Sequence, residues 1–231
     1  MAEGKRLVIF GDSIAKGVTY QDGRYHLCSE HNFDALAQKG IVVSNFAKMG
    51  ACSDTVLAIA KKRLDACEGA QVILSFGGND CDFRWKEIAE DPTGDHQPNV
   101  PLPEFVELYR EMIRRVRSHG IRPILTNLPP LDSERFFNWW CGDLDKEAVM
   151  RWLGDVGNIY VWQERYSRAV ERLAREENVP LVDVRGAFLD YGHLEQTLCA
   201  DGTHPNTVGQ GLITKAFQDF GRGLRLAGQT V

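Results

Sequence analysis

Short, wholly apolar runs alternate along the chain with longer segments whose apolar residues recur every three or four positions. The short runs are 6–10, 41–46, 72–76, 121–126 and 181–184, for example Leu7-Val8-Ile9-Phe10 and Val72-Ile73-Leu74-Ser75-Phe76. Each is rich in β-branched residues and has glycine, proline or asparagine on at least one side, the mark of a buried strand. Between them the spacing predicts helices. One covers 29–39 and is closed by Gly40; another covers 53–67, with Val56, Leu57, Ala60 and Leu64 on one face and Gly69 as its stop. After a proline-rich polar loop over 91–103 comes a helix with its stripe at Phe105, Leu108, Tyr109, Met112, Ile113 and Val116, ended by Gly120. Two more cover 159–178 and 207–226.

Strands that are apolar throughout leave neither face to water, so the alternation calls for a parallel sheet covered on both sides. Right-handed crossovers leave few arrangements. The simplest is an α/β fold: a three-layer α/β/α sandwich around a flavodoxin-like five-stranded parallel sheet. The 231 residues contain no repeat, low-complexity tract or linker, and are read as a single domain over 1–231. One stretch breaks the rhythm. Residues 131–158 fall between the fourth strand and its helix and carry Phe136, Phe137, Trp139, Trp140 and Trp152. The expectation is a helical insertion that buries its aromatics as a satellite core; the alternative is a lid or wall facing a substrate.

Charge narrows the partners. A net charge of −5 weighs against nucleic acid and anionic membrane. The basic runs Lys61-Lys62-Arg63 and Arg114-Arg115-Val116-Arg117 sit inside amphipathic helices and read as solvated faces. With no apolar signal core before the first strand and no run of transmembrane length, the expected location is cytoplasmic, without a stable membrane anchor. Six dispersed cysteines contain no C-x-x-C pair, so free thiols are expected rather than a metal site or disulfide framework.

The chemistry gathers at strand ends. Ser13 follows the first strand, Gly50 the second and Asn79 the third, while Asp201-Gly202-Thr203-His204-Pro205 precedes the last helix. Each has a plain reading: Ser13 and Asn79 as turn residues, Asp201 and His204 as the approach to a helix capped by Asn206. At one sheet edge they can do more. Across a three-residue turn, Asp201 can accept the Nδ1 proton of His204 and leave Nε2 free to take the proton of a serine hydroxyl. Backbone amides at Ser13 and Gly50, with the Asn79 side chain, can face a developing oxyanion.

These residues stand in four blocks that resemble those of the GDSL/SGNH hydrolases, a family of lipases, acylhydrolases and esterases. Phe10-Gly11-Asp12-Ser13-Ile14 matches the first block, with isoleucine for the usual leucine. Residues 45–50 match the second, Gly77-Gly78-Asn79-Asp80 the third and Asp201-Gly202-Thr203-His204-Pro205 the last. The resemblance implies Ser13 as nucleophile, His204 as general base and Asp201 as its orienting acid. It also implies an oxyanion hole from Ser13, Gly50 and Asn79, and no cofactor or metal. The expected activity is a serine-dependent carboxylic-ester hydrolase acting through an acyl-enzyme. Its expected partner is a small-molecule ester, short-chain or acetyl, including acetylated sugars. An acyltransferase of the same fold and a lysophospholipase-type lipid acylhydrolase stay open beside it, as does the oligomeric state. The G-x-S-x-G elbow is absent around Ser13, and Lys16-Gly17 reverses the order that a P-loop needs. Cys52, Cys81 and Cys199 lie next to block positions; either at least one lines the pocket or all three are small space-fillers.

Overall fold

A computed structural model of the chain describes residues 6–29 and 41–226. The first strand, β1 (Arg6–Gly11), runs into the single-turn helix α1 (Ser13–Lys16). The chain then doubles back through an antiparallel hairpin, β2 (Val18–Gln21) and β3 (Arg24–Leu27), that the apolar pattern does not predict. The helix expected over 29–39 falls almost wholly outside the described residues. Four further strands follow: β4 (Val42–Asn45), β5 (Gln71–Ser75), β6 (Arg122–Thr126) and β7 (Leu181–Val182). They form with β1 a five-stranded sheet in the order β4-β1-β5-β6-β7, parallel throughout.

Period-two geometry makes this sheet the middle of three layers. Val8 and Phe10 of β1, Val72 and Leu74 of β5 and Leu125 of β6 point to one side. There they meet α2 (Ser53–Lys61), α4 (Leu102–Ser118) and α7 (Gly157–Glu176) through Leu57, Met112, Ile113 and Val170. Their neighbours Leu7, Ile9, Ile73 and Ile124 point to the other side. They pack on α8 (Val184–Tyr191) and α9 (Thr207–Leu226) through Phe188 and Ile213. The expected α/β sandwich is the observed fold.

Two boundaries differ from the sequence reading. The helix expected over 53–67 ends at Lys61, and Leu64–Cys67 form a separate 3-10 turn. Residues three apart eclipse in that geometry, so Leu64 and Cys67 keep to one face and stay buried although the α-helix has stopped. The last strand shrinks to two residues because Asp183 becomes a helix cap, its carboxylate accepting the Gly186 amide at 2.8 Å.

The insertion is helical, as expected. It forms α5 (Ser133–Trp140) and α6 (Lys146–Leu153), capped by the carboxylates of Asp132 and Asp145. Phe136, Phe137, Val149 and Leu153 join Phe83, Trp85 and Ile88 of the α3 region (Trp85–Glu90) and Ile159 in a core of their own. Trp139 and Trp140 do not enter it; they remain 36% and 41% exposed.

Candidate active site

The approach to Ser13 admits only glycine at position 11. A Cβ there would lie 2.2 Å from the Ser75 carbonyl and 2.5 Å from the Ala15 methyl, so β1 could not pass this close to β5 and α1 at once. Asp12 then caps α1, its carboxylate accepting the Ile14 amide at 3.0 Å. Ser13 is therefore the first residue of a helix, nearly buried, with a backbone N–H that has no acceptor inside the helix. Beyond β4, the chain reaches Gly50 on the exposed rim, where the Asn79 side-chain amide donates to the Ala51 carbonyl at 3.1 Å. One hydrogen of that amide holds the side chain beside Gly50, and the other is left to donate elsewhere.

The residues from the far end of the chain meet these. Asp201 is fully buried, and its Oδ1 accepts the amides of Thr203 and His204, each at 3.0 Å. Its Oδ2 lies 2.7 Å from His204 Nδ1, and His204 Nε2 lies 2.8 Å from Ser13 Oγ. Because a carboxylate only accepts, the imidazole proton sits on Nδ1 and Nε2 is left to accept the serine hydroxyl. Burial pushes the Asp201 carboxyl up. The hydrogen bond and charge of His204, with the two backbone amides, outweigh it and hold the group below the usual carboxylate value. All five positions named from sequence are thus found at one sheet edge: Ser13, Asp201 and His204 in direct contact, Gly50 and Asn79 tied together through Ala51.

The spacing of the blocks missed two features. The Tyr25 hydroxyl, carried by the hairpin, donates to Asp201 Oδ2 at 3.0 Å. The insertion is fastened to the same loop: the Asp132 amide donates to the Gly202 carbonyl at 2.9 Å, and the Arg135 guanidinium reaches the carbonyl of Glu195 at 2.9 Å. A Cβ on Gly202, at φ +71°, would meet the Phe136 amide at 2.5 Å, so this contact too requires glycine.

A narrow apolar cavity of about 30 Å³ reaches the chain neighbours of Ser13 and His204: it is lined by Ile14, Gly78, Cys81 and Thr203 and walled by Phe83, Trp85, Phe136 and Trp162. Of the three cysteines in question, Cys81 lines it and Cys52 and Cys199 do not. Cys199 is instead engaged by the Thr19 hydroxyl at 3.3 Å and the Tyr20 amide at 3.2 Å. Burial pushes the Cys81 thiol well up, so it is protonated and weakly nucleophilic at neutral pH. Cys52, Cys67, Cys81, Cys141 and Cys199 form no disulfide.

Three carboxyls near the site, the buried Asp12 and Asp80 and the half-buried Asp82, are each pushed up to about 6, first by desolvation. Asp80 offers the clearest test. Its Oδ1 accepts both the amide and the hydroxyl of Ser53, while Oδ2 has no hydrogen-bond partner among the described residues. Because the folded pKa exceeds the unfolded one, the folded protein binds the extra proton between about pH 4 and 6 and loses stability as pH rises through that window. Asp80→Asn keeps an oxygen for Ser53 and removes the charge. It is expected to raise stability at pH 8 by about 1–3 kcal/mol and to change little below pH 4. Thermal melts at the two pH values check this, and equal shifts at both would contradict it.

Comparison with known proteins agrees with this geometry. The sequence model described as "GDSL-like Lipase/Acylhydrolase family" matches residues 9–212. An isoamyl acetate-hydrolyzing esterase of Saccharomyces cerevisiae is 32% identical over 117 residues, 50% of this chain and 46% of that protein, so the match spans just under half of that relative's length. A lipase/acylhydrolase from Enterococcus faecalis superimposes with a TM-score of 0.64 at 19% identity, covering 95% of this chain and 96% of that one. A catalytic mutant of an acetylxylan esterase from Geobacillus stearothermophilus does so with a TM-score of 0.66 at 19% identity, covering 95% of each chain. At these identities the two structures speak to the fold. Among the described residues no helix is long and apolar enough to cross a membrane.

Proposed function

The chain belongs to the GDSL-like lipase/acylhydrolase family, and from that premise we propose a serine-dependent carboxylic-ester hydrolase that acts on short-chain esters, acetyl esters foremost. One observation carries the reading: the unbroken hydrogen-bond line from Ser13 Oγ through His204 to the buried Asp201 carboxylate. His204 Nε2 takes the Ser13 proton as Oγ attacks the ester carbonyl. Asp201 stabilises the imidazolium as it forms, and that imidazolium then protonates the departing alcohol. Water repeats the sequence on the acyl-enzyme and releases the acid. The amides of Ser13 and Gly50 and the free hydrogen of Asn79 face the oxygen on which charge develops. Such donors are each worth on the order of 2.7–4 kcal/mol in the transition state.

The acyl preference follows from the cavity beside Ser13. A narrow cavity of about 30 Å³ behind aromatic walls suits an acetyl group or a slightly longer acyl chain. The relative from Saccharomyces cerevisiae and the Geobacillus stearothermophilus neighbour are both named for acetyl esters, which points the same way. A single catalytic domain over 1–231 is supported by the one continuous five-stranded sheet and by the long matched span.

The test is a series of p-nitrophenyl esters from acetate to octanoate, with a fluorophosphonate probe located by peptide mass spectrometry. The expected result is a kcat/KM that falls beyond butyrate, with the label on Ser13. Labelling elsewhere, or rates that rise steadily with chain length, would overturn the assignment.

A further inference from the structure

Tyr25 sits on β3, outside every block that carries the family resemblance, yet its hydroxyl donates to Asp201 Oδ2 at 3.0 Å. That oxygen also takes the His204 Nδ1 hydrogen at 2.7 Å. The tyrosine ring lies 5.1 Å from the imidazole, so the same side chain touches both members of the pair. Tyr25 does not stand alone. Tyr20 packs edge-on against it at 5.0 Å, and Trp139 of the insertion packs edge-on against Tyr20 at 4.8 Å. A carboxylate only accepts, so the Tyr25 hydroxyl gives its hydrogen to Asp201.

We propose that Tyr25, held by packing on Tyr20 and through it on Trp139, is a positioning residue that sets how strongly the Asp201 carboxylate holds the His204 imidazolium, so that hairpin and insertion together tune the base serving Ser13. This rests on the serine-esterase reading above. A carboxylate oxygen that shares its charge between two donors attracts each less strongly than it would one alone. With Tyr25 in place the imidazolium is stabilised less. Without the hydroxyl, Oδ2 turns wholly to His204, and the imidazolium is stabilised more.

The groups facing the pair come from four directions. From the hairpin come Tyr20 and Tyr25, and from the turn before α1 comes Asp12, whose charge acts on His204. Cys199 lies upstream on the same loop. From the insertion come the neutral Trp139 and the pair Asp132–Arg135, whose charges lie 3.5 Å apart and largely cancel. Of these, Asp12 also titrates, and it is unchanged in both variants below.

The experiment is the pH profile of kcat/KM with p-nitrophenyl acetate for the wild type, Tyr25→Phe and Trp139→Phe. Tyr25→Phe keeps the ring against His204 and removes only the hydroxyl. Its acid limb is expected to move up by about 0.5–1 pH unit, with kcat near neutrality down about 3–10-fold and KM unchanged. Trp139→Phe is expected to move the limb in the same direction by less, because Tyr20 and Tyr25 lose part of the aromatic packing that holds the hydroxyl on Asp201. It keeps the test decisive should the first variant fail to fold. Limbs that stay in place in every folded variant, or a loss confined to KM, would overturn the proposal. Ser13→Ala, run in parallel, separates the two layers. Undiminished turnover there would remove the serine-esterase reading itself, whereas a dead Ser13→Ala enzyme beside unmoved limbs would remove only the role of Tyr25.

Discussion

Replacing Ser13 by alanine is expected to lower kcat on p-nitrophenyl acetate by about 10⁶-fold, close to the uncatalysed background, while the thermal melt moves little. The two halves of this expectation have separate causes. Ser13 sits at the start of α1, where the structural work is done by its neighbours: Gly11 allows the close approach to Ser75, and Asp12 caps the helix through the Ile14 amide. Among the described residues the side chain of Ser13 has one hydrogen-bond partner, His204 Nε2 at 2.8 Å. Losing one such bond at a site that opens on a cavity costs about 1 kcal/mol of stability. Losing the atom that forms the acyl-enzyme removes the pathway altogether. Steady-state kinetics beside a melting curve read both, and a variant that keeps more than a tenth of the wild-type kcat would show that the nucleophile lies elsewhere.

Much of this site could be read from the chain because its parts are local. The D-x-x-H spacing allows a carboxylate and an imidazole to meet across one turn, and the structure closes that turn at 2.7 Å. The central runs β1, β5 and β6 could be read for a similar reason: a parallel strand buried on both faces has few polar positions to confuse the pattern, whereas the edge strand β4 leaves Val42 exposed despite its apolar run. What escaped was amphipathic or short. Val18–Gln21 and Arg24–Leu27 form a hairpin whose outer strand is mostly exposed, so it carries no apolar run. Its signal was chemical instead. Asp22-Gly23, at φ +52° and +77°, is the dipeptide that favours a two-residue hairpin turn, and it stands between two aromatic-containing segments. Recognising that turn would have brought Tyr25 near the strand ends. The contact with Asp201 joins residues 176 positions apart and has no sequence signature. The helix at Trp85–Glu90 and the cap at Asp183 were missed because each is decided by tertiary contacts: the first by the aromatic satellite core, the second by a single carboxylate–amide bond.

Asp201→Asn is the second large effect, and it follows from counting hydrogens. Oδ1 of Asp201 accepts two backbone amides, from Thr203 and His204, so an asparagine there must keep its oxygen on that side. Its NH2 group then occupies the position of Oδ2, where it meets two groups that are both donors in the wild type, His204 Nδ1–H and the Tyr25 hydroxyl. The hydroxyl can rotate and accept. The imidazole can only shift its proton to Nε2, which then faces the Ser13 hydroxyl as a donor and cannot serve as a base. A wrong tautomer with intact geometry is expected to cost about 10⁴-fold in kcat with little change in KM. The same substitution has a signature in stability. The Asp201 carboxyl is held below its unfolded value, so its contribution is fully present above about pH 4 and disappears as pH falls through the folded pKa. Asp201→Asn should therefore be less stable than the wild type at pH 7 and approach it toward pH 2. Kinetics at pH 7 and melts across that range check the two claims together. A loss of less than tenfold in kcat would mean that His204 is oriented by something other than Asp201.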